Sequence, residues 1–237
     1  MARRILVGIA TVIILAILIW MVTIKQEHHV KSSNEKEIVA LGDSLTYGVG
    51  DSSGNGYAEN LQKLLSKKEK GTVKVHNFGI PGQQTDGLLH QLGSMEVKGE
   101  LSQADNIILF IGTNDLVKSN GGDLNPLQHD RIMLGKADYK KNLKRILNII
   151  REENLDAPIL FLGLYNPYPD SDKIEKVVEN WNETSRAFIK PYDHIKFIQT
   201  NGLFKEKTSK YFSDSLHPNK RGYDVLTKKI LNDYDFE

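Results

Sequence analysis

Residues 106–115, Asn-Ile-Ile-Leu-Phe-Ile-Gly-Thr-Asn-Asp, set an uninterrupted apolar run directly before a polar turn. A strand inside a parallel sheet is covered on both faces and reads as a continuous apolar run, not an alternating one. Residues 37–41 (EIVAL, ending in Gly42) and 159–164 (ILFLGL) read the same way. Val73, Val75 and Phe78 lie in a β-like stretch closed by Gly79, Pro81 and Gly82, and 195–198 (IKFI) is a fifth strand. Between these runs apolar residues recur at helical spacing. They are Tyr57, Ala58, Leu61, Leu64 and Leu65; Leu88, Leu89 and Leu92; Tyr139, Leu143, Ile146, Leu147 and Ile150; Ile174, Val177, Val178 and Trp181; and Tyr223, Leu226 and Ile230. Strands alternating with helices predict an α/β domain over 37–237, its parallel sheet covered on both sides through right-handed crossovers. Residues 117–136 lack a pattern and carry Gly121-Gly122, so they read as a surface insertion.

The N-terminus has a different character. Ile5 to Ile24 contains no charged residue, and a helix of that length spans roughly 30 Å, the thickness of a bilayer's hydrocarbon core. Arg3 and Arg4 precede the run, which predicts a cytoplasmic N-terminus and an extracytoplasmic domain. Residues 1–24 therefore read as a signal-anchor transmembrane helix at the cell membrane, and 25–36 as a polar linker. The competing reading is a signal peptide that is cleaved so that the domain is secreted. Its apolar core would be shorter and followed by a small-x-small site, which residues 21–25 do not offer. His28 and His29 have no third ligand in reach and read as linker residues.

The full chain has 237 residues, 31 Lys+Arg against 30 Asp+Glu, and no cysteine. A charge near zero argues against a nucleic-acid partner held by bulk electrostatics. Without cysteine there is no disulfide, no thiolate metal site, no cysteine nucleophile and no thioether lipid anchor.

Four polar clusters fall where an open parallel sheet binds ligands, outside the carboxyl ends of its strands. These are Gly42 to Gly48 (GDSLTYG), Asn77 to Gly82, Gly112-Thr113-Asn114-Asp115, and Asp214-Ser215-Leu216-His217-Pro218. A serine hydroxyl needs a neighbouring base to become a nucleophile. His217 can be that base, with Asp214 holding its tautomer from three residues away. The Ser44 and Gly82 backbone N–H groups and the Asn114 side-chain amide can stabilise the oxyanion of an attacked carbonyl.

Together these blocks resemble the SGNH/GDSL hydrolase family, in the family's order and over the whole domain from about Glu37. The resemblance implies Ser44 as nucleophile, Gly82 and Asn114 as further oxyanion donors beside the Ser44 N–H, and Asp214 and His217 completing a triad. It also implies a flavodoxin-like three-layer α/β/α sandwich of strand order 2-1-3-4-5, with no metal and no organic cofactor. One departure is visible: Gly82 is followed by Gln83-Gln84-Thr85, where many relatives carry Gly-Asp-Thr/Ser from the oxyanion glycine.

Other features have plainer readings. Gly50-Asp51-Ser52-Ser53-Gly54 matches a nucleophile elbow by pattern but lies eight residues beyond the strand, so it reads as a loop. Asp43 and Asp115 read as loop braces. His76, His90, His129 and His194 have no acidic partner at a catalytic spacing. Asn182-Glu183-Thr184 is a glycosylation sequon by pattern, inside a predicted helix.

The expectation is a membrane-anchored serine ester hydrolase of the lipase/acylhydrolase type, acting on a small-molecule, lipid or polysaccharide ester through an acyl-enzyme on Ser44. An O-acetyl esterase of envelope polysaccharide and a non-catalytic tethered binding protein are the alternatives. The acyl pocket is expected between 46–56, 83–90, 117–136 and Asn166-Pro167-Tyr168-Pro169. The sequence fixes neither acyl length nor oligomeric state.

Overall fold

The structure, a computed structural model, describes residues 35–68, 71–206 and 208–236. The predicted signal-anchor helix and most of the predicted linker lie outside the described residues. Among the described residues no helix is long and apolar enough to cross a membrane.

Among the described residues there are five strands: β1 (Glu35–Gly42), β2 (Thr72–Gly79), β3 (Asn106–Phe110), β4 (Ile159–Leu162) and β5 (Ile195–Ile198). Their order in the sheet is β2-β1-β3-β4-β5, as the resemblance implied. Strand β1 pairs parallel with β3 (Val39 opposite Ile107), β3 with β4 (Ile108 opposite Leu160), and β4 with β5 (Phe161 opposite Phe197). The burial of each strand follows its place. Ile38 to Leu41, Ile107 to Phe110 and Ile159 to Leu162 are buried on both faces, whereas β2 and β5, at the edges, carry exposed and half-buried residues. Each buried Ile or Leu contributes about 1.5–3 kcal/mol of transfer free energy, and the three central strands form the middle layer of a core that the helices complete.

The helices are α1 (Ser44–Tyr47), α2 (Gly56–Lys68), α3 (Thr85–Gln91), α4 (Met95–Gln103), α5 (Thr113–Ser119), α6 (His129–Glu153), α7 (Asp172–Ile189) and α8 (Lys220–Asp233). Helix α2 packs on α8 in one layer, and α6 packs on α3, α4, α5 and α7 in the other. The result is a three-layer α/β/α sandwich.

Three boundaries correct the sequence reading. Strand β1 begins at Glu35, so the last two residues assigned to the linker belong to the sheet. Helices α4 and α5 carry no periodicity strong enough to announce them, since α4 buries only Val97 and Leu101. The supposed insertion 117–136 is the end of α5, a short loop and the first turns of α6, with Leu124 and Ile132 buried. Its buried apolar positions are too widely spaced to register as a pattern.

Candidate active site

The chain leaves β1 through Gly42, where a side chain has no room. A Cβ there would lie 2.3 Å from the Phe110 carbonyl oxygen and 2.2 Å from the Thr46 Oγ1. Asp43 then caps the single turn of α1, its Oδ1 accepting the Leu45 N–H at 2.9 Å. Gly48 ends that turn in the left-handed conformation, φ 94°. This tight strand-to-helix turn presents Ser44 at the carboxyl edge of the sheet with its side chain almost buried.

Ser44 meets a residue 173 positions away in sequence: its Oγ lies 2.9 Å from the His217 Nε2. The His217 Nδ1 lies 2.7 Å from the Asp214 Oδ2. The other carboxylate oxygen, Oδ1, accepts the backbone N–H groups of Leu216 at 2.8 Å and His217 at 2.7 Å. Partial burial raises the Asp214 pKa, but these two N–H groups and the imidazole outweigh it and hold the carboxyl below its ordinary value. With its side chain 51% exposed, Asp214 keeps contact with water.

The loop is pinned from outside. Phe212 and Pro218 form an antiparallel bridge, and the buried Tyr165 donates its hydroxyl to the Leu216 carbonyl at 2.5 Å. Gly50, φ 95°, packs against the loop so closely that a Cβ would sit 2.5 Å from the Pro218 carbonyl and 3.0 Å from the His217 Cβ.

Gly82 and Asn114 reach the same edge. The Ile80 N–H donates to the Gly42 carbonyl at 3.1 Å, which fastens the loop after β2 to the Ser44 turn. Gly82 holds a φ of 76°, open to glycine at little strain. No acceptor among the described residues takes the backbone N–H of Ser44 or of Gly82. The Asn114 amide donates to the Asp43 Oδ2 at 3.2 Å and to the Gln83 carbonyl at 3.1 Å.

The departure after Gly82 has a structural counterpart. Gln83 is buried, and its side-chain amide donates to the Gln91 Oε1 at 2.8 Å and the Gly42 carbonyl at 3.4 Å. Asp115 secures the next residue but one, accepting the Thr85 N–H at 3.1 Å and the Thr85 hydroxyl. Asp43 and Asp115 are thus both braces. Burial pushes their carboxyls up, Asp43 to about 7 and Asp115 to about 6.

Several features fall away from this cluster. Asp51 uses its carboxylate on the Ser53 N–H and hydroxyl and the Gly56 N–H, at 2.7–3.1 Å, so 50–54 is a self-braced loop. His76 has no acidic partner at a catalytic spacing, but it meets two from distant elements: its Nε2 lies 2.6 Å from Glu37 and 3.1 Å from Glu100. These come from β1 and α4, a pairing that local spacing does not reveal. Asn182 of the sequon is buried and clamps Leu164, accepting its N–H and donating to its carbonyl, both at 2.7 Å. Tyr165 escaped the sequence reading because it lies in no motif, and Gly50 was read only as part of the loop 50–54, since its contact with the His217 loop is made at long range. Among the described residues no cluster of three or more His, Asp or Glu side chains is arranged to hold a metal ion.

Residues 40–225 match the model of the GDSL-like lipase/acylhydrolase family. The chain is similar to the uncharacterized protein YpmR of Bacillus subtilis, 32% identical over 87% of this chain and 84% of that protein. It is also similar to the spore germination lipase LipC of Bacillus licheniformis, 27% identical over 82% of this chain and 94% of that protein. Among solved structures, the lipase Lip_vut3 from a goat rumen metagenome superposes with a TM-score of 0.74 and 26% identity, covering 83% of this chain and 96% of that one.

Proposed function

The chain belongs to the GDSL-like lipase/acylhydrolase family and is a carboxylic ester hydrolase, and on that premise we propose that it works through an acyl-enzyme on Ser44. The observation that carries this reading is the unbroken hydrogen-bonded chain Ser44–His217–Asp214, at 2.9 and 2.7 Å.

His217 Nε2 takes the hydroxyl proton as Ser44 Oγ attacks the ester carbonyl carbon. Asp214, charged and fixed by two backbone donors, steadies the imidazolium. The N–H groups of Ser44 and Gly82 receive the oxyanion, and the Asn114 amide exchanges its bond to the Gln83 carbonyl for one to the oxyanion while keeping that to Asp43. Collapse breaks the bond to the alcohol oxygen, and His217 returns the proton to the departing alcohol. Water, deprotonated by His217, then attacks the acyl-serine carbonyl, releasing the acid and restoring the serine hydroxyl.

The acyl group is lipid-like in this reading, because the lipase LipC spans nearly the whole domain as a relative. The test is hydrolysis of p-nitrophenyl esters from acetate to decanoate by the full chain, beside Ser44→Ala and a serine-directed fluorophosphonate. Turnover and labelling in the wild type, both lost in Ser44→Ala, are the expected result. Turnover that survives in Ser44→Ala overturns the acyl-enzyme.

The apolar run Ile5–Ile24 behind Arg3 and Arg4 supports a second element of the proposal, a domain anchored on the extracytoplasmic side of the cell membrane. Protease added to intact protoplasts should remove the domain. Full protection there, with digestion after lysis, overturns the orientation.

A further inference from the structure

Two of the four stretches expected to wall a pocket, 117–136 and Tyr168, do meet, and they meet against α7. Between them lies a cavity of about 1080 Å³. None of Ser44, Gly82, Asn114, Asp214 and His217 lines it, so it is separate from the hydrogen-bonded chain. Its size is that of a small-molecule site, whose typical range is about 300–1,000 Å³.

Its lining divides by chemistry. Leu124, Ile132 and Ile174 are buried at its floor, and Leu127, Tyr168 and Val177 extend the apolar surface. Met133 lines it too and is 67% exposed, an apolar side chain left facing water at the rim. The charged residues along it are Lys136, Lys173 and Lys176 against Asp123 alone. Lys136 is held in place, its Nζ 5.5 Å from the Trp181 ring centre and bonded to the Asn180 Oδ1.

The aliphatic floor favours a hydrocarbon tail, and the polar side chains of the lining, Asn125, His129 and Ser171 beside the lysines, suit a polar head. A lysine-rich rim disfavours a cationic one. The concave shape suits a single inserted chain, whereas a bilayer surface would meet a flat or convex apolar face. We infer that this cavity is a second ligand site of the protein, one that takes a single-chain amphiphile with a hydrocarbon tail and an anionic head, of the kind a fatty acid anion presents. The tail lies on Ile132, Ile174 and Val177, and the head reaches Lys173 and Lys176. Ester hydrolysis at Ser44 is not required for this binding.

The test is photo-crosslinking of a diazirine-tagged hexadecanoic acid to the full chain, with labelled peptides mapped by mass spectrometry. Label is expected on peptides within 124–136 and 168–177, and excess dodecanoate should compete at least tenfold better than 1-dodecanol. Val177→Trp, which fills the cavity, and the exposed pair Lys173→Glu/Lys176→Glu should each reduce labelling at least tenfold. Thermal melts establish that the variants are folded, and the exposed lysine pair touches no core should Val177→Trp fail to fold. The Ser44→Ala chain should label as the wild type does, so loss of esterase activity and loss of this site register independently. Label spread over other surfaces, equal competition by dodecanol, or uptake only into anionic vesicles without saturable competition would each overturn the inference.

Discussion

The side-chain amide of Asn114 donates to the carboxyl of Asp43 at 3.2 Å, tying the oxyanion candidate to the buried acid next to Ser44. Asp43 also caps the Ser44 turn through the Leu45 N–H, so one carboxyl positions both partners of the developing tetrahedral centre. Replacing Asn114 by Ala removes a donor whose loss typically raises the barrier by about 2.7–4 kcal/mol. The expected outcome for Asn114→Ala is a kcat lower by roughly 10²–10³ with a small change in KM. Steady-state kinetics on a short-chain p-nitrophenyl ester measure it, and an unchanged kcat removes Asn114 from the site.

Asp214→Asn retains the size of the side chain but loses the charge that fixes the His217 tautomer. By comparison with other triads, kcat should fall on the order of 10³–10⁴-fold. The melting temperature should move little, because the side chain is half exposed. A large loss of stability with modest loss of rate would make Asp214 a structural residue.

Gly50→Ala is a test from outside the four polar blocks. The added methyl would press on the Pro218 carbonyl at 2.5 Å and on the His217 Cβ at 3.0 Å, at a φ of 95° that disfavours any side chain. Activity should drop by an order of magnitude or more because the imidazole is displaced; reactive positioning over about 1 Å can matter by roughly 10²-fold. Fluorophosphonate labelling rates report it directly. Labelling as fast as in the wild type would mean that the loop yields without moving His217.

Stability should fall as pH rises from about 4 to about 7. Burial raises the Asp43 and Asp115 carboxyls from 3.8 to about 7 and about 6, so within this window the folded chain binds protons that the unfolded chain has released. Proton uptake on folding makes the unfolding free energy decrease with pH. Asp214 is shifted the other way; its contribution is lost only as pH falls below the ordinary aspartate value. Urea midpoints at about pH 5 and about pH 8 should therefore differ, and Asp115→Asn should narrow the difference. A variant with the wild-type difference would remove Asp115 from this account.

Asn182→Ala breaks both hydrogen bonds to Leu164 and leaves buried backbone groups unpaired. The expected destabilisation is about 1–3 kcal/mol per orphaned group, read from urea unfolding. Wild-type stability would show that water replaces the clamp.

The sheet was readable because three of its strands are buried on both faces, so Ile38–Leu41, Ile107–Phe110 and Ile159–Leu162 carry the signal in composition alone. Helices α4 and α5 were not, because one buries two apolar side chains and the other starts inside the turn that carries Asn114. The residues singled out by the four polar blocks converge because each block ends a strand or precedes a helix at one sheet edge. What local patterns do not encode is the bracing between blocks. Tyr165 to Leu216, Asp43 to Asn114 and His76 to Glu37 span 51, 71 and 39 positions, and none leaves a periodic trace.

The half-exposed Asp214 has a consequence for ionic strength. At about 0.15 M salt the screening length in water is about 8 Å, and it shortens to about 3 Å at 1 M. A carboxylate acting through its field would lose influence over that range. Asp214 grips His217 through directed contacts of 2.7 Å, inside even the shorter length. The alignment of the acid-base pair should therefore depend only weakly on salt, and kcat/KM measured between about 0.15 M and 1 M salt should change little.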